Sequence, residues 1–271
     1  MRYSRDWGFQ LRITPAVKYL ILVDTGIFVL ELILDLLFRV KLSPLLGLRP
    51  AFFWRGAIWQ PVTYMFLHGG IFHLFINMLI LWMFGTPLES TWGSRRFLKF
   101  FFICGISAGL LNAAATPGSP IPTVGASGAI YGLLMAFGIL FPNQLIYIWG
   151  IFPVKAKYFV IGIGVVEFLG AMSATRSGVA HVAHLGGMLF GLVFMKWYSW
   201  RKSLSYWRAE KRHRRYLKVA SDRNREKETL QKKVDKLLDK INKKGMVSLT
   251  ADERELLKEM SQKISELDKD I

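Results

Sequence analysis

A chain of 271 residues with 52% hydrophobic side chains, nine Trp and twenty Phe carries more apolar surface than a soluble domain of this length ordinarily buries. One cysteine excludes an intrachain disulfide framework. The formal net charge of +17 invites a nucleic-acid reading, but Lys and Arg beside apolar spans more simply face anionic lipid head groups or solvent, so no nucleic-acid partner is expected.

Residues 1–15, within "MRYSRDWGFQLRITPAVK", are basic and lack a small-residue cleavage site after a short apolar core, so they read as a cytoplasmic lead-in and not a signal peptide. Apolar stretches suited to a hydrocarbon core of about 30 Å then recur. They predict helices at 16–40, 71–88, 97–116, 127–142, 156–173 and 181–199, an all-α membrane domain of six spans over 16–200. The fourth is the shortest, and its limits at Gly125 and Pro142 leave loop backbone near membrane depth, tolerable where protein or a water-filled cavity surrounds it. Between the first two spans, residues 41–67 include "AFFWRGAIW", the aromatic composition of an interfacial segment.

Orientation follows from the basic residues. Arg95, Arg96 and Lys99, then Lys155 and Lys157, then the basic tail, place both termini and the loops after helices 2 and 4 in the cytoplasm. The loop at 41–67 opposes this with Lys41, Arg49 and Arg55, and the tail outweighs it. Residues 201–271 change character to a charged helical tail, with Leu230, Val234, Leu237, Leu238 and Ile241 in helical spacing and a break at Gly245. Thr250 and Glu253 then form a capping-box pattern ahead of a second short helix.

The polar residues within spans gather at one level. The starts of helices 2, 4 and 6 share the outward side, and there stand His68, His73, Asn77, Ser127, His181 and His184. Ionisable groups inside spans are expensive and call for a function first. Gly125-Ala126-Ser127-Gly128 fits a serine nucleophile, yet small residues at Gly128 and Gly132 equally suit close helix packing. It is not the G-x-S-x-G elbow, because Ala129 stands at the last glycine position. His184 is the best partner for Ser127, since Gly187 and Gly191 make a small face that lets helix 6 approach helix 4. Tyr131, one turn after Ser127, shares its face and would pack on that imidazole, while His181, one turn from His184, competes for the role. His73 and Asn77, four residues apart, point the same way and offer donors to a developing oxyanion, or else an interhelical hydrogen bond. A metal site at the H-x-x-H of His181 and His184, with His68 and His73 adding ligands, is not expected, because the H-E-x-x-H pattern and a nearby carboxylate are both lacking, and no cofactor is implied. No outward-side acid is expected to complete a triad, and Glu31, Asp35 and Glu167 stay unexplained within spans.

Taken together, the six spans, the order His68, His73, Asn77, then Gly125 to Gly128, Tyr131, and His184 with Gly187 and Gly191 resemble the rhomboid family of intramembrane serine proteases. The resemblance covers about residues 10–200 and implies a six-helix rhomboid-like bundle in which Ser127 and His184 form a catalytic dyad. It implies Asn77 and His73 on the oxyanion side, His68 ordering a loop, and Tyr131 stacking on His184. Glu89 and Gly93 in "ESTWGSRRF" look like the family's Glu and Gly between helices 2 and 3, whereas Gln60 stands where the family often has Arg after Trp59. The implied activity is hydrolysis of peptide bonds in or near transmembrane segments of membrane-protein substrates, in a bacterial inner (plasma) membrane, with the site open to the extracytoplasmic side. The loop "SATRSGV" before helix 6 would be a cap that moves for entry. The rival readings are a catalytically silent rhomboid-like protein that binds membrane helices and a small transporter or lipid-binding bundle. Both Ser127 and His184 being present argues against the first, and the lack of an internal repeat argues against the second. The oligomeric state is not written in the sequence.

Overall fold

The computed structural model describes residues 13–148, 150–173 and 180–269, without the side chains of 201–205, 268 and 269. The chain divides into two compact units, Met1–Tyr198 and Ser199–Ile271. In the first, α1 (Pro15–Phe38) opens with proline at its first position, where a missing N–H costs nothing, and ends at Arg39 in the left-handed region (φ 56°). Three one-turn helices follow, α2 (Ser43–Leu46), α3 (Pro50–Phe53) and α4 (Gln60–Thr63), then a 3-10 turn at Tyr64–Phe66. Next come α5 (Ile71–Ile80), a π turn at Leu81–Gly85 and α6 (Thr86–Trp92), which run on as one helix. The unit continues with α7 (Ser94–Ala115), α8 (Ser127–Leu140), β1 (Leu145–Ile148), β2 (Phe152–Lys155) and α9 (Ala156–Met172), and α10 (His181–Lys244) starts within it.

Every stretch predicted to be a span is helical, with shifted limits. Among the described residues two helices, Ile71–Trp92 and Ser94–Ala115, are long and apolar enough to cross a membrane. The 14 residues of α8 rise only about 21 Å at 1.5 Å each. The expected end of helix 4 at 142 moves back to Leu140, and the antiparallel pair β1–β2 follows, absent from the sequence reading. Gly150 (φ +72°) turns that hairpin. The proposed cap lies mostly in 174–179, outside the described residues.

The core is built on α7. Phe97, Phe100, Phe101 and Cys104 are fully buried along it, and Tyr64 donates its hydroxyl to the Gly105 carbonyl at 2.7 Å. A Cβ at Gly105 would lie 2.2 Å from Met65 Cε, so glycine there admits the Met65 side chain. By contrast α1 exposes Leu30, Leu36, Leu37 and Phe38, and α9 exposes Ile161, Val165, Val166 and Leu169. Apolar faces of that extent are an aggregation hazard in water and suit contact with lipid.

Glu89 joins three segments. Its Oε1 accepts from Ala16 N–H and its Oε2 from Val17 N–H, both at 2.9 Å, and Ser94 Oγ donates to Oε1 at 2.6 Å. A buried carboxylate from α6 thus satisfies orphan donors at the start of α1, where no side chain of the N-cap Thr14 does so. Glu89→Ala is expected to destabilise the helical unit by about 3 kcal/mol, because two buried N–H groups lose their acceptor. Thermal unfolding in detergent measures this, and an unchanged melting temperature would contradict it.

The segment ahead of α5 is tied without an ion pair at position 60. Gln60 is buried, accepts from Arg49 N–H at 3.0 Å and donates to the Leu45 carbonyl at 3.4 Å. Trp54 and Trp59 donate their indole N–H groups to Ala113 and Leu45 carbonyls, both at 3.0 Å.

In the second unit, α10 ends before Gly245 (φ +77°), and α11 (Ala251–Lys269) follows. The capping box forms: Thr250 N–H donates to Glu253 Oε2 at 2.9 Å and Glu253 N–H to Thr250 Oγ1 at 3.2 Å. The Lys240 ammonium donates to the same carboxylate at 2.6 Å and holds its carboxyl below the usual range. Lys263 pairs with Glu226 at 2.7 Å, and Leu249 and Met260 are buried.

Candidate active site

Ser127 is the first residue of α8, so it stands among the amides of a helix start that lack intrahelical acceptors. The chain leading to it is pinned twice. Leu48 and Thr123 exchange backbone hydrogen bonds at 2.9 and 2.8 Å, and Gly125 N–H donates to the Tyr64 carbonyl at 2.9 Å. Gly125 adopts φ +119°, and a Cβ there would sit 2.9 Å from His73 Nε2 and 3.5 Å from Asn77 Nδ2. Glycine is required both for that backbone angle and for the approach of those two side chains.

Glycines bring the histidine to the serine. A Cβ on Gly187 would fall 1.8 Å from the Gly128 carbonyl oxygen, and one on Gly191 would fall 3.0 Å from the Gly132 carbonyl oxygen. The backbones of α8 and α10 therefore touch along Gly128, Gly132, Gly187 and Gly191, the small-residue mode of membrane helix association. At that spacing His184 Nε2 lies 2.9 Å from Ser127 Oγ. The Tyr131 ring stacks on the His184 imidazole with centroids 4.2 Å apart and planes 9° from parallel. Ser127 is half-buried and His184 buried.

On α5, the Gly69 N–H donates to His73 Nδ1 at 3.2 Å, which leaves the His73 proton on Nε2, the nitrogen turned toward Gly125. Asn77 is buried and its Nδ2 has no hydrogen-bond partner among the described residues. A buried amide donor without an acceptor is costly unless something is to be bound there. His68 is buried against the edge of His73, with ring centroids 5.3 Å apart, and neither of its nitrogens finds a partner among the described residues.

Beyond the serine and histidine lies an acid. Glu167 of α9 accepts the Tyr131 hydroxyl on Oε1, while its Oε2 lies 2.6 Å from His181 Nδ1 and 3.0 Å from His184 Nδ1. The His184 contact has ion-pair distance but falls short of hydrogen-bond alignment, and His184 Nδ1 has no aligned partner among the described residues. The ligating atoms of Glu167, His181 and His184 lie within 4.8 Å of one another, a donor set that suits zinc by type. Gly170 makes room for this cluster, because a Cβ there would meet the His181 ring at 2.5 Å.

Residues 55–201, more than half of the chain, match the family model for the rhomboid domain. The chain belongs to the rhomboid family. It is an integral membrane protein on that ground. A second match, to a family of unknown function (DUF6576), covers residues 221–263. Among curated relatives, the mitochondrial rhomboid protein 1 of Saccharomyces cerevisiae is 34% identical over 57% of this chain and 44% of its own length. Rhomboid protease GluP of Bacillus subtilis is 33% identical over 51% of this chain and 25% of its own. The putative rhomboid protease YdcA of Bacillus subtilis is 31% identical over 59% of this chain and 72% of its own. The chain thus spans less than half the length of the first two and most of the third.

In this rhomboid, Ser127, His184, Tyr131, His73, Asn77 and the glycines at 125, 128, 187 and 191 converge at one place, with His68 behind His73. Sequence reasoning missed Glu167: the expectation that no acid stands near the pair is overturned by its contacts with His184, His181 and Tyr131. His181 does not face Ser127 in competition with His184; its Nδ1 engages Glu167 instead. The signal was present in the spacing. Glu167 lies near the end of α9 and His181 and His184 at the start of α10, so two helices joined by a short connection bring them to one depth.

Proposed function

We propose that this rhomboid is an intramembrane serine endopeptidase that hydrolyses peptide bonds in or near transmembrane segments of membrane proteins. The observation that carries the reading is the 2.9 Å contact of His184 Nε2 with Ser127 Oγ beside the unpartnered Asn77 Nδ2. His184 Nε2 takes the Ser127 proton as Oγ bonds to the scissile carbonyl carbon, and the carbonyl π pair moves onto oxygen. Asn77 Nδ2–H, His73 Nε2–H and the amides at the start of α8 receive that oxyanion. Collapse breaks the C–N bond as His184 returns its proton to the leaving amine, and water then hydrolyses the acyl-enzyme by the same relay. The test is a serine-reactive fluorophosphonate together with a model transmembrane substrate. Labelling mapped to Ser127 with cleavage supports the reading; an inert protein in both assays refutes it.

The finer placement belongs to the same proposal. All six helices cross a bacterial inner membrane, with both termini cytoplasmic and Ser127 opening to the extracytoplasmic side. The bilayer and substrates with a transmembrane helix are the partners, and residues 201–271 form a cytoplasmic domain whose basic stretch meets anionic lipid. Reporter fusions after residues 60, 95, 120 and 150 should alternate outside, inside, outside, inside. The reverse order would remove the route by which water reaches Ser127.

A further inference from the structure

Glu167 is expensive where it stands. A carboxylate within an apolar helix that is largely exposed on its other faces needs compensation, and here hydrogen bonds with Tyr131 of α8 and His181 of α10 supply it, with His184 of α10 at ion-pair distance. Its contacts with His181 and Tyr131 alone would satisfy both oxygens. The additional approach to His184 is on Nδ1, the nitrogen opposite the one that faces Ser127. The three groups therefore run in the order carboxylate, Nδ1, Nε2, hydroxyl.

That order has a chemical meaning. For His184 Nε2 to accept the Ser127 proton, Nε2 must be the bare nitrogen and the imidazole proton must reside on Nδ1. A proton on Nδ1 inside an apolar bundle needs an acceptor, and Glu167 Oε2, at an ion-pair distance of 3.0 Å, is within reach to become one. Once Nε2 is protonated, the ring is a cation, and the same carboxylate is its counter-charge. The aligned stack with Tyr131 fixes the ring plane, so the choice left for Glu167 to settle is between the two orientations related by a 180° flip about the Cβ–Cγ bond, which decides whether Nε2 faces Ser127.

We propose that Glu167 is a positioning residue for His184, turning the pair into a Ser127–His184–Glu167 relay in which the carboxylate selects the Nδ1–H tautomer, anchors the ring and stabilises the imidazolium. His181 and Tyr131 hold the carboxylate in place for that task. Glu167 takes no proton: the one released by Ser127 stays on Nε2 until it passes to the leaving amine. The proposal rests on the protease reading and goes beyond a dyad.

The test compares Glu167→Gln and Glu167→Asp with the unaltered full chain in detergent. Glu167→Gln keeps the volume but presents an amide that favours the wrong tautomer, so kcat should fall about 10²-fold with KM nearly unchanged, and the fluorophosphonate labelling rate should fall with it. Glu167→Asp should recover part of the loss. In a His184→Ala background, Glu167→Gln should change the residual labelling rate by no more than about 2-fold, since the carboxylate acts through that ring. Tyr131→Phe keeps the stacked ring and removes one anchor of the carboxylate, for an expected loss of about 5-fold in kcat with KM nearly unchanged, and that loss vanishes in the His184→Ala background. This last variant serves if Glu167→Gln does not fold. Glu167→Gln with unaltered kcat, an effect confined to KM, or a full further loss in the His184→Ala background would each overturn the proposal. Failure of the unaltered chain to label or cleave would instead strike the protease reading, which separates the two.

Discussion

Ser127→Ala and His184→Ala each abolish turnover, by roughly 10⁴-fold to 10⁶-fold, and the double variant is no worse than either. The two losses do not add, because without the hydroxyl there is no proton for Nε2 to take, and without Nε2 the hydroxyl is a poor nucleophile. Their 2.9 Å contact is the geometric reason. Asn77→Ala behaves differently: it deletes one donor to the transition state and leaves the nucleophile whole, for a loss of roughly 10²-fold to 10³-fold. Fluorophosphonate labelling separates the cases, with none expected for Ser127→Ala, little for His184→Ala and a reduced rate for Asn77→Ala. His181→Ala should keep measurable turnover, since its ring meets Glu167 and not the serine. Cleavage by Ser127→Ala, or silence of His181→Ala beside an active His184→Ala, would refute the assignment.

Gly187→Val should be nearly as damaging, although position 187 takes no part in bond making. A Cβ there would lie 1.8 Å from the Gly128 carbonyl oxygen, less than any real contact, and the obstacle is helix backbone that cannot swing aside as a side chain would. The α10 backbone must therefore move off α8 by more than an ångström. The Ser127–His184 hydrogen bond cannot survive that displacement, and a misplacement of about 1 Å costs on the order of 10²-fold in rate. Lost packing adds about 1–3 kcal/mol of instability. Thermal unfolding and turnover should fall together for Gly187→Val, and Gly187→Ala should show the same in milder form. Gly162→Ala on α9, where a Cβ would meet nothing within 4 Å, is the control and should leave both unchanged. A Gly187→Val protein with ordinary turnover would show that the helices do not touch there.

What was legible in the sequence was what depends on near neighbours along the chain. Helical stretches follow from local apolar composition, the Thr250–Glu253 box from a three-residue spacing, and the glycine faces of α8 and α10 from a four-residue repeat. The residue types at the site, a serine, two pairs of histidines and an amide, were likewise visible because polar side chains in apolar spans are few. The hairpin β1–β2 escaped because its four-residue strands carry the same apolar composition as the helices around them.

The tertiary structure alone decided which of these residues meet. The cap that Glu89 provides for α1 joins positions more than seventy residues apart, and nothing in the local sequence at either end announces it. Glu167 read as an unexplained charge because its partners, Tyr131, His181 and His184, belong to two other helices, and helical periodicity states which residues share a face but not which neighbour that face will meet. The choice between His181 and His184 was of the same kind. One helical turn separates them, and only the rotation of α10 set by the contact of Gly187 with Gly128 turns His184 to Ser127 and His181 to Glu167. Composition and spacing determined what could bind a proton or touch a helix backbone; the packing of backbone against backbone decided which groups do.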